Sequence, residues 1–295
     1  MENENLIQLS STAWLIPGPT NIGVIVEDTD AILVDSGNDK EAGRKINRIL
    51  QDKQWMLKGI LNTHSNADHI GGNAYLQRQW NCEIFSGPVE QSFIEHPFLE
   101  SCFLWGGYPV KDIQNKFFQA KPSPVTGTLD QASGVQSGKL NVIPLPGHYF
   151  DMAGILTGDG VFYIGDSLFG EEILNKYKIP FIFDVEKYKE TILIVRETAA
   201  DVYVPSHGKP ETDIRETADK NLAAVDRAEA ELMTILSEKL CFEDVLKQFC
   251  DRLDIRLDYS QYALVGSTVR SFLSWLYNSG KIAGVFYENK LFWHR

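Results

Sequence analysis

Short apolar runs separated by turn residues dominate the N-terminal part of the chain. Ile22 to Val26, Ala31 to Asp35 and Gly59 to Asn62 read as strands, and the charged stretch Lys40 to Gln51 between them reads as a helix. A second helix is expected from Gly71 to Trp80, and the next strand from Cys82 to Ser86. From Val89 to Gln136 the pattern breaks down. Aromatic residues, among them Phe93, Trp105, Tyr108 and Phe117, are scattered among Pro and Gly, as in an insertion that covers a pocket. Strands resume at Leu140 to Leu145, Gly154 to Thr157 and Val161 to Ile164, the last two turning at Gly158-Asp159-Gly160. A helix from Val185 to Ala199 and a strand from Val202 to Val204 close this half.

After His207 the character changes. Asp213 to Lys239 is charged, with Ala218, Leu222, Val225, Leu232 and Leu236 at helical spacing, so a boundary is placed near residue 215. Helical patterns at Phe242 to Cys250 and Ser267 to Asn278 precede the alternating pair Ile282 to Phe286 and Lys290 to Trp293, an order like that of a winged helix. The reading is of an α/β domain over 1–215 and a small module over 216–295.

Composition narrows the function classes. With 40 acidic residues against 28 basic ones, a net charge of −12 offers no general field for phosphate backbones. Residues 241–295 carry seven basic and six acidic side chains, a near balance that also argues against a nucleic-acid footprint. The N-terminal Met1-Glu2-Asn3-Glu4-Asn5 lacks the positive and apolar segments of a secretion signal, and no window is apolar enough to span a membrane. A cytoplasmic protein is expected. Cys82, Cys102, Cys241 and Cys250 have no Cys-x-x-Cys spacing and are expected as free thiols.

The densest chemistry is Thr63-His64-Ser65-Asn66-Ala67-Asp68-His69, followed by Ile70-Gly71-Gly72. Four further segments end apolar runs: Leu33-Val34-Asp35-Ser36-Gly37, Leu145-Pro146-Gly147-His148, Ile164-Gly165-Asp166-Ser167 and Val204-Pro205-Ser206-His207-Gly208. In order and approximate spacing the five segments resemble the metallo-β-lactamase superfamily, over about residues 10–210, with glyoxalase II-like hydrolases as the nearest comparison. The resemblance implies an αββα sandwich in which strand-end loops hold one or two divalent ions. It implies His64, His148 and position 66 as one metal site, Asp68, His69 and His207 as the other, Asp166 between them, and Asp35 supporting a ligand from behind. It also implies a metal-activated water, with Asp68 as the catalytic carboxylate that orients it. Read alone, Asp68 could simply cap a helix; beside His64 and His69 that reading loses its weight.

One position departs from the pattern. Asn66 stands where the H-x-H-x-D-H signature has its second histidine, and an amide oxygen is a neutral, hard donor. Asn66 is therefore expected to be a weak ligand. Zinc is the expected ion, with manganese or iron as harder occupants of the first site, which should fill second. His96, Trp105 and Tyr108 in the aromatic insertion are candidates for the substrate pocket, and His294 for the surface. The expected substrate is a small ester, thioester or lactone. The rival classes are a metal-dependent nuclease and a metal-binding scaffold without turnover. Membrane partners are not expected, and a homodimer is the expected assembly.

Overall fold

The computed structural model describes residues 6–134 and 140–295. The acidic stretch at 1–5 and the end of the aromatic insertion at 135–136 lie outside the described residues.

The first sheet comprises β1 (Ile7–Gln8), β2 (Ala13–Ile16), β3 (Ile22–Glu27), β4 (Asp30–Val34), β5 (Met56–Leu61), β6 (Glu83–Ser86) and β7 (Gly127–Thr128), in that spatial order. Strands β1 to β4 pair antiparallel, and β4 to β7 pair parallel. The second sheet has the order β11-β10-β9-β8, from β8 (Leu140–Pro144), β9 (Ala153–Thr157), β10 (Val161–Gly165) and β11 (Val202–Pro205). Here β10 and β11 run parallel.

The sheets pack face to face because their strands are apolar on both sides. Along β4, Ile32 and Val34 turn toward the second sheet, where they meet Ile155, Val161 and Tyr163, while Ala31 and Leu33 turn outward. That alternation is the period of two that a strand imposes, with both faces buried. Two helices, α1 (Lys40–Lys53) and α3 (Asn73–Trp80), cover the outer face of the first sheet through Ile46, Leu50 and Leu76. Asp39 caps α1 by accepting from the backbone N–H groups of Glu41 and Ala42.

The connection between β6 and β7 carries α4 (Pro88–Glu95) and α5 (Phe98–Trp105). Two more helices, α6 (Glu171–Tyr177) and α7 (Val185–Glu197), separate β10 from β11. Beyond β11 come α8 (Arg215–Ile235), β12 (Leu240–Cys241), α9 (Phe242–Leu253), α10 (Tyr259–Asn278), β13 (Ala283–Tyr287) and β14 (Lys290–His294). The last strands form a small sheet of order β12-β14-β13. The outer face of the second sheet and the C-terminal helices share one apolar core: Phe162 and Tyr188 belong to the same buried cluster as Val225, Leu232, Phe249 and Phe272. Packing thus continues across residue 215.

Three elements differ from the expectation. The helix expected over Gly71 to Trp80 starts at Asn73, as α3, and a separate single turn, α2 (Ala67–Ile70), precedes it, because the chain between them threads against a neighbouring loop. A Cβ on Gly72 would lie 2.3 Å from the Ser36 carbonyl oxygen, so this approach admits only glycine. The aromatic insertion holds two regular helices, which its Pro and Gly residues bracket rather than break. Finally, α10 begins at Tyr259, not Ser267, because the Asp258 side chain accepts from the Gln261 N–H and caps it there. Among the described residues no helix is long and apolar enough to cross a membrane.

Candidate metal centre

The chemistry-bearing loops leave the C-terminal ends of strands. Asp35 follows β4, the His64 to His69 segment follows β5, Asp166 follows β10 and His207 follows β11. His148 lies in the turn between β8 and β9. The backbone at these ends is closely constrained: Gly147 has a φ of +121°, and a Cβ there would sit 2.3 Å from the Tyr188 nitrogen. Asn21 straps the His207 loop by donating from Nδ2 to the carbonyls of Pro205 and Gly208 at 2.9 and 2.7 Å. The Ala153 N–H donates to the Thr63 carbonyl at 2.9 Å and ties the two sheets together at the site.

Six side chains converge. His64, His148 and Asp166 present donor atoms within 4.8 Å of one another, and so do Asp68, His69 and His207. Asp166 joins the groups: its Oδ2 is 3.6 Å from His148 Nε2 and 3.5 Å from His207 Nε2, and its Oδ1 is 3.4 Å from His69 Nε2. His207 Nε2 is 3.2 Å from Asp68 Oδ2, which also accepts from Thr20 Oγ1 at 3.0 Å.

The outer faces of the four imidazoles explain their orientation. His148 Nδ1 lies 2.9 Å from the Phe181 carbonyl, His207 Nδ1 2.8 Å from the Pro19 carbonyl, and His69 Nδ1 2.8 Å from Asp35 Oδ2. Each of those oxygens can only accept, so each Nδ1 carries the proton. His64 Nδ1 lies 3.1 Å from Thr63 Oγ1, whose own proton goes to Asp35 Oδ2, so it too donates. Every neutral ring therefore turns an Nε2 lone pair inward. His64 Nε2, His69 Nε2 and Asp166 Oδ1 are buried with no hydrogen-bond partner. Buried acceptors left unmatched are costly unless a cation meets them. This donor set, imidazole nitrogens with carboxylate oxygens, fits a divalent ion such as zinc.

Asp35 occupies a backbone conformation of positive φ, 64°, unusual for a residue with a Cβ. Its carboxylate is fully used there, accepting from the Thr63 N–H and Oγ1, both at 2.8 Å, as well as from His69. Such a partner fixes both the tautomer and the ring plane of the histidine it holds.

Electrostatics follow from burial and the carboxylates. Burial drives the His64 and His148 imidazoles down, toward the neutral form. Burial also opposes the charged forms of His69 and His207, but Asp166 and Asp68 outweigh it and raise both, His207 to about 10. Burial resists ionisation of Asp68, yet His69 and His207 hold its carboxyl well below the usual range. The carboxylates of Asp68 and Asp166 thus draw positive charge to the cluster, which protons on His69 and His207 or a divalent ion can supply.

Two glutamates that the sequence reading overlooked sit beneath the metal loop. Glu90 on α4 accepts from the Ser65 and Asp151 N–H groups, at 3.0 and 2.9 Å, and is fully buried. Glu100 on α5 accepts from Asn66 Nδ2 at 2.9 Å. Burial, first of all, raises the Glu100 carboxyl well above the ordinary glutamate range. An acidic residue alone in the apolar run Phe98 to Trp105 was the available signal, since an unpaired charge rarely faces a core without a role.

A cavity of about 690 Å³ opens over the cluster, with Asn66, Asp68, His148, Asp166 and His207 in its wall. The insertion contributes Glu100, Leu104, Phe117 and Phe118, and α10 contributes Ser260, Gln261, Leu264, Val265 and Thr268. His96, Trp105 and Tyr108, expected in the substrate pocket, are not among the residues that line this cavity. Leu104 points into the cavity, so Trp105, a third of a helical turn on, packs against Tyr262 instead, with ring centroids 6.0 Å apart. His96 is the exposed C-cap of α4, and Tyr108 is 79% exposed in the turn beyond α5. His294, expected at the surface, ends β14, apart from the cluster.

This fold and donor set define a class. The family model of the metallo-beta-lactamase superfamily matches residues 15–207. The chain belongs to that superfamily, whose members are mostly metal-dependent hydrolases. It is 22% identical over 213 residues to the probable metallo-hydrolase YqgX of Bacillus subtilis (strain 168), an alignment covering 70% of this chain and 92% of that protein. It is 28% identical over 152 residues to a hydroxyacylglutathione hydrolase of Rhodopseudomonas palustris (strain BisB18), covering 50% of this chain and 48%, about half, of that one. In structure it is similar to a beta-lactamase domain protein from Burkholderia ambifaria, at 18% identity and a TM-score of 0.78, over 98% of this chain and 94% of the other. A metallo-beta-lactamase family protein from Thermus thermophilus matches over 100% of both chains at 18% identity and a TM-score of 0.71. At such identities the likeness shows the fold alone.

Proposed function

We propose that the protein is a metal-dependent hydrolase that directs a water at the carbonyl of a small ester, thioester or lactone. The observation that carries this reading is the cavity in which a histidine–carboxylate cluster forms one wall and apolar side chains form most of the rest. Its volume lies in the range of small-molecule sites, which suits a small acyl compound better than a polynucleotide.

In this reading His64, His148 and Asp166 hold one ion, with the Asn66 amide oxygen as a weak fourth ligand. Asp68, His69 and His207 hold the other, and Asp166 reaches both. Zinc suits the second group; the first group, with a hard amide oxygen where the resemblance calls for an imidazole, would also take manganese or iron. A divalent ion bound there supplies Lewis acidity, which polarises a carbonyl and makes water a better nucleophile. Asp68 is the catalytic carboxylate: ionised, and fixed by Thr20, it accepts the proton of the attacking water and aims its lone pair. Phe169 lies parallel to the His207 ring and Phe181 meets His148 edge-on, so both exclude bulk water from the reacting centre.

The 216–295 segment, proposed as a winged-helix-like module, serves here as a cavity wall. Its one basic residue on α10, Arg270, stacks over Phe242 at 3.8 Å and is engaged within the protein, which does not favour nucleic acid as substrate. A cytoplasmic, thiol-reducing setting agrees with four free cysteines. The deciding experiment is a panel of thioester, lactone and phosphodiester substrates, including a hydroxyacylglutathione because of the relatives above, each assayed with zinc, manganese and iron. Turnover confined to the phosphodiester would reject the reading.

A further inference from the structure

The cavity wall has a charge pattern that selects its ligand. Away from the cluster it is built from Leu104, Phe118, Phe169, Leu174, Phe181 and Leu264, with Phe117 and Tyr177, 69% and 38% exposed, at its rim. The ionisable side chains in the wall other than histidine and tyrosine are the carboxyl groups of Asp68, Glu100 and Asp166; among the described residues no lysine or arginine lines it. The cations close to the rim stand over its outer aromatics and do not line the cavity. Lys176 Nζ lies over the Tyr177 ring, 4.7 Å from its centroid, and Lys116 Nζ lies over the Phe117 ring at 5.7 Å while pairing with Asp39 at 3.3 Å. A second anionic group on a substrate, seated inside the cavity away from the cluster, would leave water and find only apolar surface.

We infer that the substrate is neutral beyond its reacting carbonyl and carries an extended apolar acyl chain, an assignment that rests on the hydrolase reading. Hydrolysis adds water across the acyl–oxygen or acyl–sulfur bond. The carbonyl carbon gains the hydroxyl, the leaving group gains the proton, and the carboxylate product becomes anionic only once the bond is cut. The reaction that supplies such a substrate is an acylation that masks a carboxylate as an ester, thioester or lactone.

The test uses the full chain loaded with zinc and 4-nitrophenyl acetate, butyrate, octanoate and the half-ester of octanedioic acid, which differs from the octanoate by a terminal carboxylate. The expected kcat/KM rises from acetate to octanoate by roughly threefold per methylene, the ratio that burial of one methylene supports. The half-ester falls at least about tenfold below the octanoate, as for an unpaired buried charge. In Leu264→Arg, which puts a cation in the wall, the ratio of half-ester to octanoate rises at least about tenfold. Calorimetric binding of octanamide, with octanedioic acid monoamide as its anionic counterpart, keeps the assignment separate from turnover. Octanamide binding without ester hydrolysis would uphold the cavity assignment and reject the hydrolase reading. Turnover that favours the half-ester, or equals it with the octanoate, would reject the assignment and leave the hydrolase reading intact. Failure of octanamide to bind would also overturn it.

Discussion

Glu100 sets the direction of the Asn66 amide. Asn66 Nδ2 donates to Glu100 Oε1 at 2.9 Å, so Oδ1 turns to His148 Nε2, 3.1 Å away. That nitrogen has its lone pair on the same side, because His148 Nδ1 donates to the Phe181 carbonyl. Two acceptors facing each other over this distance are a natural pair of ligands for one cation. The Asn66 amide oxygen is therefore aimed at the His148 ring, and a buried glutamate holds it in place.

The first prediction concerns metal content. After zinc loading and mild chelation, metal analysis should find close to one ion per chain, held by Asp68, His69 and His207. Asn66→His should raise retention toward two. Glu100→Ala, which frees the amide, should weaken the first ion by about tenfold, as losses behind a metal ligand do. Two firmly held zincs in the unaltered chain would contradict the ranking of the sites.

Asp68→Ala should lower kcat/KM by at least roughly a thousandfold, since it removes a ligand together with the group that orients the water. Circular dichroism should show an unchanged fold, because Asp68 is partly exposed and lies in only a single helical turn. Activity within tenfold of the parent would end the proposed role.

Asp35→Asn tests the support behind His69. Asparagine tolerates the positive φ and can still accept from the Thr63 N–H. Its NH₂, however, would face the Nδ1 proton of His69, driving that proton to Nε2, where the lone pair is required. Zinc affinity should fall by about 10- to 100-fold, measured by competition with a chromophoric chelator. Unchanged affinity would show that the tautomer is not set here.

Glu90 makes a pH prediction. Burial, against the donors of Ser65 and Asp151, raises its carboxyl from 4.5 to about 7. The folded state thus keeps this proton to higher pH than the unfolded chain. Its contribution to stability is full below about pH 4.5 and is lost as pH rises toward 7. In urea unfolding of metal-free protein, the stability advantage of the parent over Glu90→Gln should shrink by up to about 3 kcal/mol across that window. A constant difference would place the Glu90 carboxyl in its ordinary range.

The sequence by itself determined the strands, and with them the points where chemistry enters. Val34 to Asp35, Leu61 to His64, Ile164 to Asp166 and Val204 to His207 each end an apolar run in a carboxylate or an imidazole, a local pattern that needs no tertiary information. It also exposed the odd member, Asn66, because a missing donor shows against a fixed spacing. The tertiary structure alone decided what surrounds that cluster. Glu100 reaches Asn66 from 34 residues away, and Leu264 and Val265 reach the same cavity from the C-terminal helices, so no spacing along the chain encodes either approach. The choice of Leu104 over Trp105 as a wall residue was equally hidden. Both are apolar, and which one faces the cavity is a matter of helix rotation, fixed by the packing of α5 against α10.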